Sequence, residues 1–150
     1  MLKFRLETTD EYERLVKFFI ENGLEFTNED LEEVDTDIVH IWKMVHTGDT
    51  LVGGVVLAKR EGKYIIDGIA VEKIFRKFGL GKIMVNKVIS EVKKLGGDSI
   101  YLVARAPEFF KTLGFCEIKE EDAPNFFECK TCPQFNVSCN PKIMMYSLNK

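Results

Sequence analysis

No cysteine occurs before residue 116, and no apolar run is long. The longest uncharged apolar stretch, LVGGVVLA at 51–58, falls far short of the roughly 20 residues that span a bilayer. The N-terminus, MLKFRLETTD, mixes charged and apolar residues from the start and lacks the apolar centre of a signal peptide. Positive charge is not in excess: 21 Lys and Arg against 24 Asp and Glu give 21 − 24 = −3, so nothing marks a general nucleic-acid binder. No repeat, linker or composition break divides the chain. The expectation is one cytoplasmic domain over residues 1–150, without a membrane or nucleic-acid partner. At 45% hydrophobic and 30% charged residues the composition is globular, and a chain of this length buries a core without disulfide staples.

The pattern of elements is α/β. LKFRLE at 2–7 alternates as a short strand. Thr9 or Asp10 is placed to cap a helix whose stripe is Leu15, Phe18 and Phe19, ending near Glu21 with Gly23 as the residue after it. An acidic stretch, FTNEDLEEVDTD at 26–37, reads as a short helix and a loop. Three strands follow, IVHIWKMVH, LVGGVVLAKR and YIIDGIAV, separated by the turns TGDT and EGK. A helix runs from Gly79 to about Leu95 and stops at Gly96 and Gly97. SIYLVA reads as a buried strand, PEFFKTL as a short helix with Pro107 in its first turn, and GFCEIKE and KIMMYSLN as the last two strands. Such an order predicts helices flanking a mixed, mostly antiparallel sheet.

RKFGLG at 76–81 carries the clearest chemistry. The helix that follows has no side-chain cap, so its first amides and the positive end of its dipole are available to an anion. Gly79 and Gly81 remove Cβ atoms from the backbone's path, and Arg76, Lys77 and Lys82 add positive charge. A phosphate or pyrophosphate suits this stretch. An ordinary strand-to-helix turn with a surface basic cluster is the competing reading, because a short Gly-x-Gly turn is weak by itself.

The longer stretch IAVEKIFRKFGLGKIMVNKVI resembles the coenzyme A-binding motif of the GNAT N-acetyltransferases: Arg or Gln, two residues, Gly, one residue, then Gly or Ala. Arg76, Gly79 and Gly81 match its three fixed positions. Downstream, ARAPEFFKTLGF resembles the family's second motif, a short helix ending in Leu113, Gly114 and Phe115. The resemblance covers about residues 1–119, less firmly the last strand. It implies a single GNAT-like domain in which YIIDGIAV and SIYLVA are parallel and splay apart. It implies acetyl-CoA as cosubstrate, its pantetheine arm on the backbone of Ile69, Ala70 and Val71, and its pyrophosphate on the amides of Arg76, Lys77, Phe78, Gly79, Leu80 and Gly81, with Lys82 nearby. Phe109 and Phe110 are implied to pack on the core and the pantetheine channel.

The activity implied is acetyl transfer to the amine of a small molecule or amino acid by direct attack. An ammonium must first lose its proton, and Asp67, four residues before Val71 on the first splayed strand, is the candidate base. The structural alternative is that an Asp before a Gly shapes a bulge. Many family members carry a tyrosine in the second motif to protonate the departing thiolate, and the matching residue here is Phe110. Tyr101 and Tyr146 are the candidate substitutes, with buried packing as the alternative for each. The missing hydroxyl keeps a second expectation open: a catalytically weak acyl-CoA-binding module acting as a sensor or through a partner. His40 and His46 lie on one strand with Trp42 and Met44, bordering the acceptor site or simply packing. Asn86 and Ser90 lie on the motif helix, where the resemblance implies that an Asn can touch the coenzyme, and a homodimer is common among similar proteins.

All four cysteines lie in the last quarter. Cys129 and Cys132 have the spacing of a zinc knuckle, Cys139 follows after six residues, and Cys116 is the remaining thiol. A zinc site built from these four requires the loop at about 120–141, between the last two strands, to fold back on Cys116. Free thiols or a labile disulfide are the alternatives.

Overall fold

The computed structural model describes residues 3–22, 37–60, 62–104, 107–118 and 142–148. Its elements are β1 (Phe4–Thr8), α1 (Tyr12–Glu21), β2 (Asp37–His46), β3 (Thr50–Arg60), β4 (Lys63–Val71), a 3-10 helix (Lys73–Phe78), α2 (Leu80–Lys94), β5 (Ser99–Ala104), α3 (Pro107–Thr112), β6 (Cys116–Glu117) and β7 (Lys142–Ser147). The seven strands form one sheet in the order β1-β2-β3-β4-β5-β7-β6. Every neighbouring pair is antiparallel except β4 and β5. The expected mixed, mostly antiparallel sheet is therefore present.

The sheet buries both faces, as alternation along its strands requires. On one face α2 packs Leu80, Met84, Val85, Val88 and Val92 onto Trp42, Val55, Leu57, Ile66 and Leu102, with Phe110 and Phe115 closing the end. On the other, α1 packs Leu15, Phe18 and Phe19 against Ile41, Val56 and Ala70. Two glycines set how closely α1 approaches. A Cβ on Gly54 would meet Leu15 Cδ2 at 2.9 Å, and one on Gly68 would meet Phe19 Cε2 at 2.6 Å.

The start of α1 differs from the expected cap. Glu11, not Thr9 or Asp10, holds the cap position, and no side chain caps the helix. The Glu11 carboxylate is committed elsewhere: it accepts from Lys43 Nζ at 2.6 Å and from Arg14 at 3.0 Å, and Asp49 completes the network with both cations. Four charges thus pin the first turn of α1 to the β2–β3 hairpin. At the other end Asn22, through Nδ2 to the Phe18 carbonyl at 2.9 Å, closes the helix. Gly23 and nearly all of the acidic stretch 26–37 lie outside the described residues.

β6 is two residues long, shorter than the strand expected over 114–120. Gly114, at φ 100°, turns the chain out of α3, so pairing with β7 begins only at Cys116.

Candidate active site

β4 and β5 pair in parallel through Tyr64 with Ile100 and Ile65 with Tyr101, and through nothing further along. Beyond Ile65 the two strands separate, so the β5-facing edge of Ile66 to Val71 keeps its backbone groups unspent within the sheet. Buried backbone groups ordinarily find partners, so this edge suits an extended ligand that pairs like a strand.

The chain leaves β4 through the 3-10 helix Lys73–Phe78, which the sequence reading did not anticipate. Arg76 Nε donates to the Val71 carbonyl at 3.1 Å, tying this turn to the last residue of β4. Arg76 thus shapes the loop. Gly79 follows at φ 72°, the left-handed region, ends the 3-10 helix and opens α2 without a side-chain cap. Nothing lies within 4 Å of where its Cβ would be. Lys73, Arg76, Lys77 and Lys82 are exposed around it. An uncapped helix start with open space before it is a place that could receive an anion.

Gly81 is constrained from the other side: a Cβ there would sit 3.1 Å from Cζ of Phe109 on α3. Phe109 is 37% exposed beside this first turn, while Phe110 is buried, edge-on to both Phe109 and Phe115. Ile69 and Val71 belong to the α2 face and Ala70 to the α1 face, so their side chains are engaged with the two cores and their backbone is what the free edge presents.

Asp67 sits at a β-bulge. Val56 pairs with Gly68 and Leu57 with Ile66, leaving Asp67 as the extra residue of β4. The bulge turns its carboxylate toward the α1 face, where its Oδ1 meets Arg60 Nη2 at 3.4 Å. Both side chains are buried, 6% and 3% exposed. Among the described residues Oδ2 has no partner within hydrogen-bond distance. Burial pushes the Asp67 pKa up; the Arg60 charge and then Tyr12 of α1 act against it.

The two tyrosines lie on opposite faces. Tyr101 is buried on the α1 side with Ala58, Ile65 and Ile143, at the last paired position before the splay. Tyr146 pairs with Ile100 and packs its ring on Phe115 and Gly114. His40 stacks on Trp42 with centroids 4.2 Å apart, and His46 lies among Phe4 and Phe75 with Nδ1 against the Lys3 carbonyl at 3.1 Å. Both histidines therefore have packing roles. Asn86 and Ser90 are exposed on α2.

Cys116 is an exposed free thiol. Among the described residues no group of three or more His, Cys, Asp or Glu side chains is placed to hold a metal. The expected zinc ligands Cys129, Cys132 and Cys139, with their loop, lie outside the described residues. Among those residues no helix is long and apolar enough to cross a membrane.

A parallel pair that splays beside an uncapped, glycine-opened helix defines a class of mixed α/β sheet. The acetyltransferase (GNAT) family model matches residues 6–115, and the chain belongs to that family. It is 28% identical over 85 residues to an uncharacterized N-acetyltransferase of Chlorobaculum tepidum, a match that spans 55% of this chain and 54% of that relative. The chain thus spans about half the length of this curated relative. The fold resembles a GNAT-family acetyltransferase from Staphylococcus aureus Mu50, with TM-score 0.73, 19% identity, 98% of this chain and 100% of that one. It also resembles N-acetylglutamate synthase from Neisseria gonorrhoeae complexed with coenzyme A and N-acetyl-glutamate, with TM-score 0.68, 19% identity, 100% of this chain and 36% of that one.

Proposed function

We propose that this chain is an N-acetyltransferase that moves an acetyl group from acetyl-CoA to the amine of a small molecule or amino acid. The observation that carries this reading is the free β4 edge ending in the open, uncapped turn at Gly79. Edge and turn fit the two ends of the cosubstrate's arm. The backbone of Ile69, Ala70 and Val71 would pair with the pantetheine amides, and the amides from Arg76 to Gly81 would hold the pyrophosphate, with Lys77 and Lys82 adding charge. The S. aureus and N. gonorrhoeae neighbours support the fold, and the latter's coenzyme A and N-acetyl-glutamate support the choice of cosubstrate and an amino-acid-like acceptor.

Bound acetyl-CoA supplies an acetyl thioester, the electrophile. The chain's own residues do the rest. A backbone amide on the free edge of β4 stabilises charge on the carbonyl oxygen. Asp67 takes the proton of the incoming ammonium, directly or through water, and its raised pKa brings it nearer neutral pH, where a general base works best. A thiol of pKa about 8.5 leaves as thiolate without strong acid help, so Phe110 in place of a tyrosine does not preclude turnover.

The test is acetyl-CoA with a panel of amino acids and polyamines, following release of the CoA thiol. Turnover with at least one amine, lowered about 100-fold or more in Asp67→Asn, is expected. A second reading, an acyl-CoA-binding module, is favoured by one observation: the ring of Phe110 is buried and carries no hydroxyl. Tight coenzyme binding with no turnover against the whole panel would establish that reading.

A further inference from the structure

Arg60 is buried, charged and matches no motif. It lies at the end of β3, opposite Lys63, and reaches along the α1 face to the bulge on β4. We propose that Arg60 is a positioning residue for acyl transfer: its guanidinium anchors Oδ1 of Asp67 and holds the carboxylate ionised, leaving Oδ2 to take the acceptor's proton. This rests on the reading of Asp67 as the base.

The geometry supplies three supports. The pair is buried on both sides, so water screens it little. The bulge places Asp67 out of the ladder, so its side chain is not required for strand pairing. Among the described residues no donor meets the buried Oδ2 within hydrogen-bond distance, and the Tyr12 hydroxyl of α1 faces the same carboxylate. Among the described residues the titratable groups facing Asp67 are Arg60 from β3 and Tyr12 from α1; on β5, Tyr101 lies on the same face, clustered with Ala58 and Ile65. Of these, only Arg60 brings a positive charge. Without it, only the Tyr12 hydrogen bond opposes burial, and the carboxyl holds its proton at the pH where a base must be free to accept one.

The test needs a readout that packing alone would not move. Carbon-13 labelling of aspartate γ-carboxyls, with Asp67→Asn assigning the resonance, follows the titration of Asp67 without any acceptor. Arg60→Gln keeps an N–H donor and removes the charge; its Asp67 midpoint should rise by about one pH unit or more. The acid limb of the pH–rate profile, measured with whichever amine of the panel turns over, should rise with it. Arg60→Lys keeps the charge without the planar fork. It should leave the midpoint near the wild-type value and lower kcat several-fold at unchanged KM for acetyl-CoA. An unchanged midpoint in Arg60→Gln overturns the proposal, as does a shifted midpoint that the acid limb does not follow. If Arg60→Gln does not fold, wild-type kcat in Arg60→Lys overturns it. Full turnover in Asp67→Asn would instead remove the base reading itself, and the proposal with it.

Discussion

A Cβ on Gly81 would come within 3.1 Å of Cζ of Phe109, closer than an ordinary contact, so a side chain there would press on the exposed ring of α3. Gly81→Ala has two opposed effects. Alanine gains helix propensity of about 0.5–1 kcal/mol in the first turn, and the Phe109 ring must yield by a few tenths of an ångström. The gain should therefore be cancelled in the wild-type background. It should reappear as a stabilisation of about 0.5–1 kcal/mol when Gly81→Ala is made in Phe109→Ala protein. Urea denaturation of the four members of the cycle measures it; equal effects in both backgrounds would show that Phe109 does not constrain Gly81.

Acid should loosen α1 from the hairpin. Lys43 first, then Arg14 and Thr9, hold the Glu11 carboxyl down from 4.5 to about 2. A pKa lowered by folding contributes stability that is present above the unfolded value and lost as pH falls through the folded one. The window is therefore from 4.5 down to about 2. The difference in urea midpoint between wild type and Glu11→Gln should be constant above that window and shrink steadily within it. Added salt should reduce the same difference, because the network is at the surface. A difference independent of pH would mean that Glu11 acts through packing.

Phe110 is 7% exposed and edge-on to Phe115, so Phe110→Ala should cost about 3–5 kcal/mol of stability. Lost turnover in that variant would report folding, not chemistry. Phe110→Tyr adds one hydroxyl. With the ring this deeply packed, it should cost about 1–3 kcal/mol and leave kcat no higher. A several-fold rise in kcat would show that the new hydroxyl reaches the leaving thiolate.

The parts of this fold that depend on local order were legible in the sequence. Apolar runs set between the turns TGDT and EGK located β2, β3 and β4, and Gly79 marked the opening of α2 because a left-handed residue there is most cheaply a glycine. The features that escaped are those set by distant partners. The 3-10 helix at Lys73–Phe78 carries no periodic signal, and it is held by Arg76 reaching back to a carbonyl five residues earlier. The Asp-Gly step points to a bulge at Asp67, and the bulge is there, but nothing local in the sequence names Arg60, on the neighbouring strand, as the partner of its carboxylate. Thr9 and Asp10 suited a cap, but Glu11 holds the cap position, with its carboxylate taken up by Lys43 and Arg14. The insertion of β7 between β5 and β6 is likewise non-local.

The central claim is that the turn at Gly79 holds the pyrophosphate of acetyl-CoA, and calorimetric titration tests it most directly. Gly81→Glu is the wrong variant, since it would strike Phe109. Gly79 has open space around it, and any side chain there bears the same left-handed backbone strain, about 1–2 kcal/mol. Comparing Gly79→Gln with Gly79→Glu therefore isolates charge. The account predicts that wild type binds acetyl-CoA, that Gly79→Gln binds more weakly, and that Gly79→Glu loses a further tenfold or more, a loss relieved by salt. Equal affinities in the two variants, or no binding by the wild type, would contradict it.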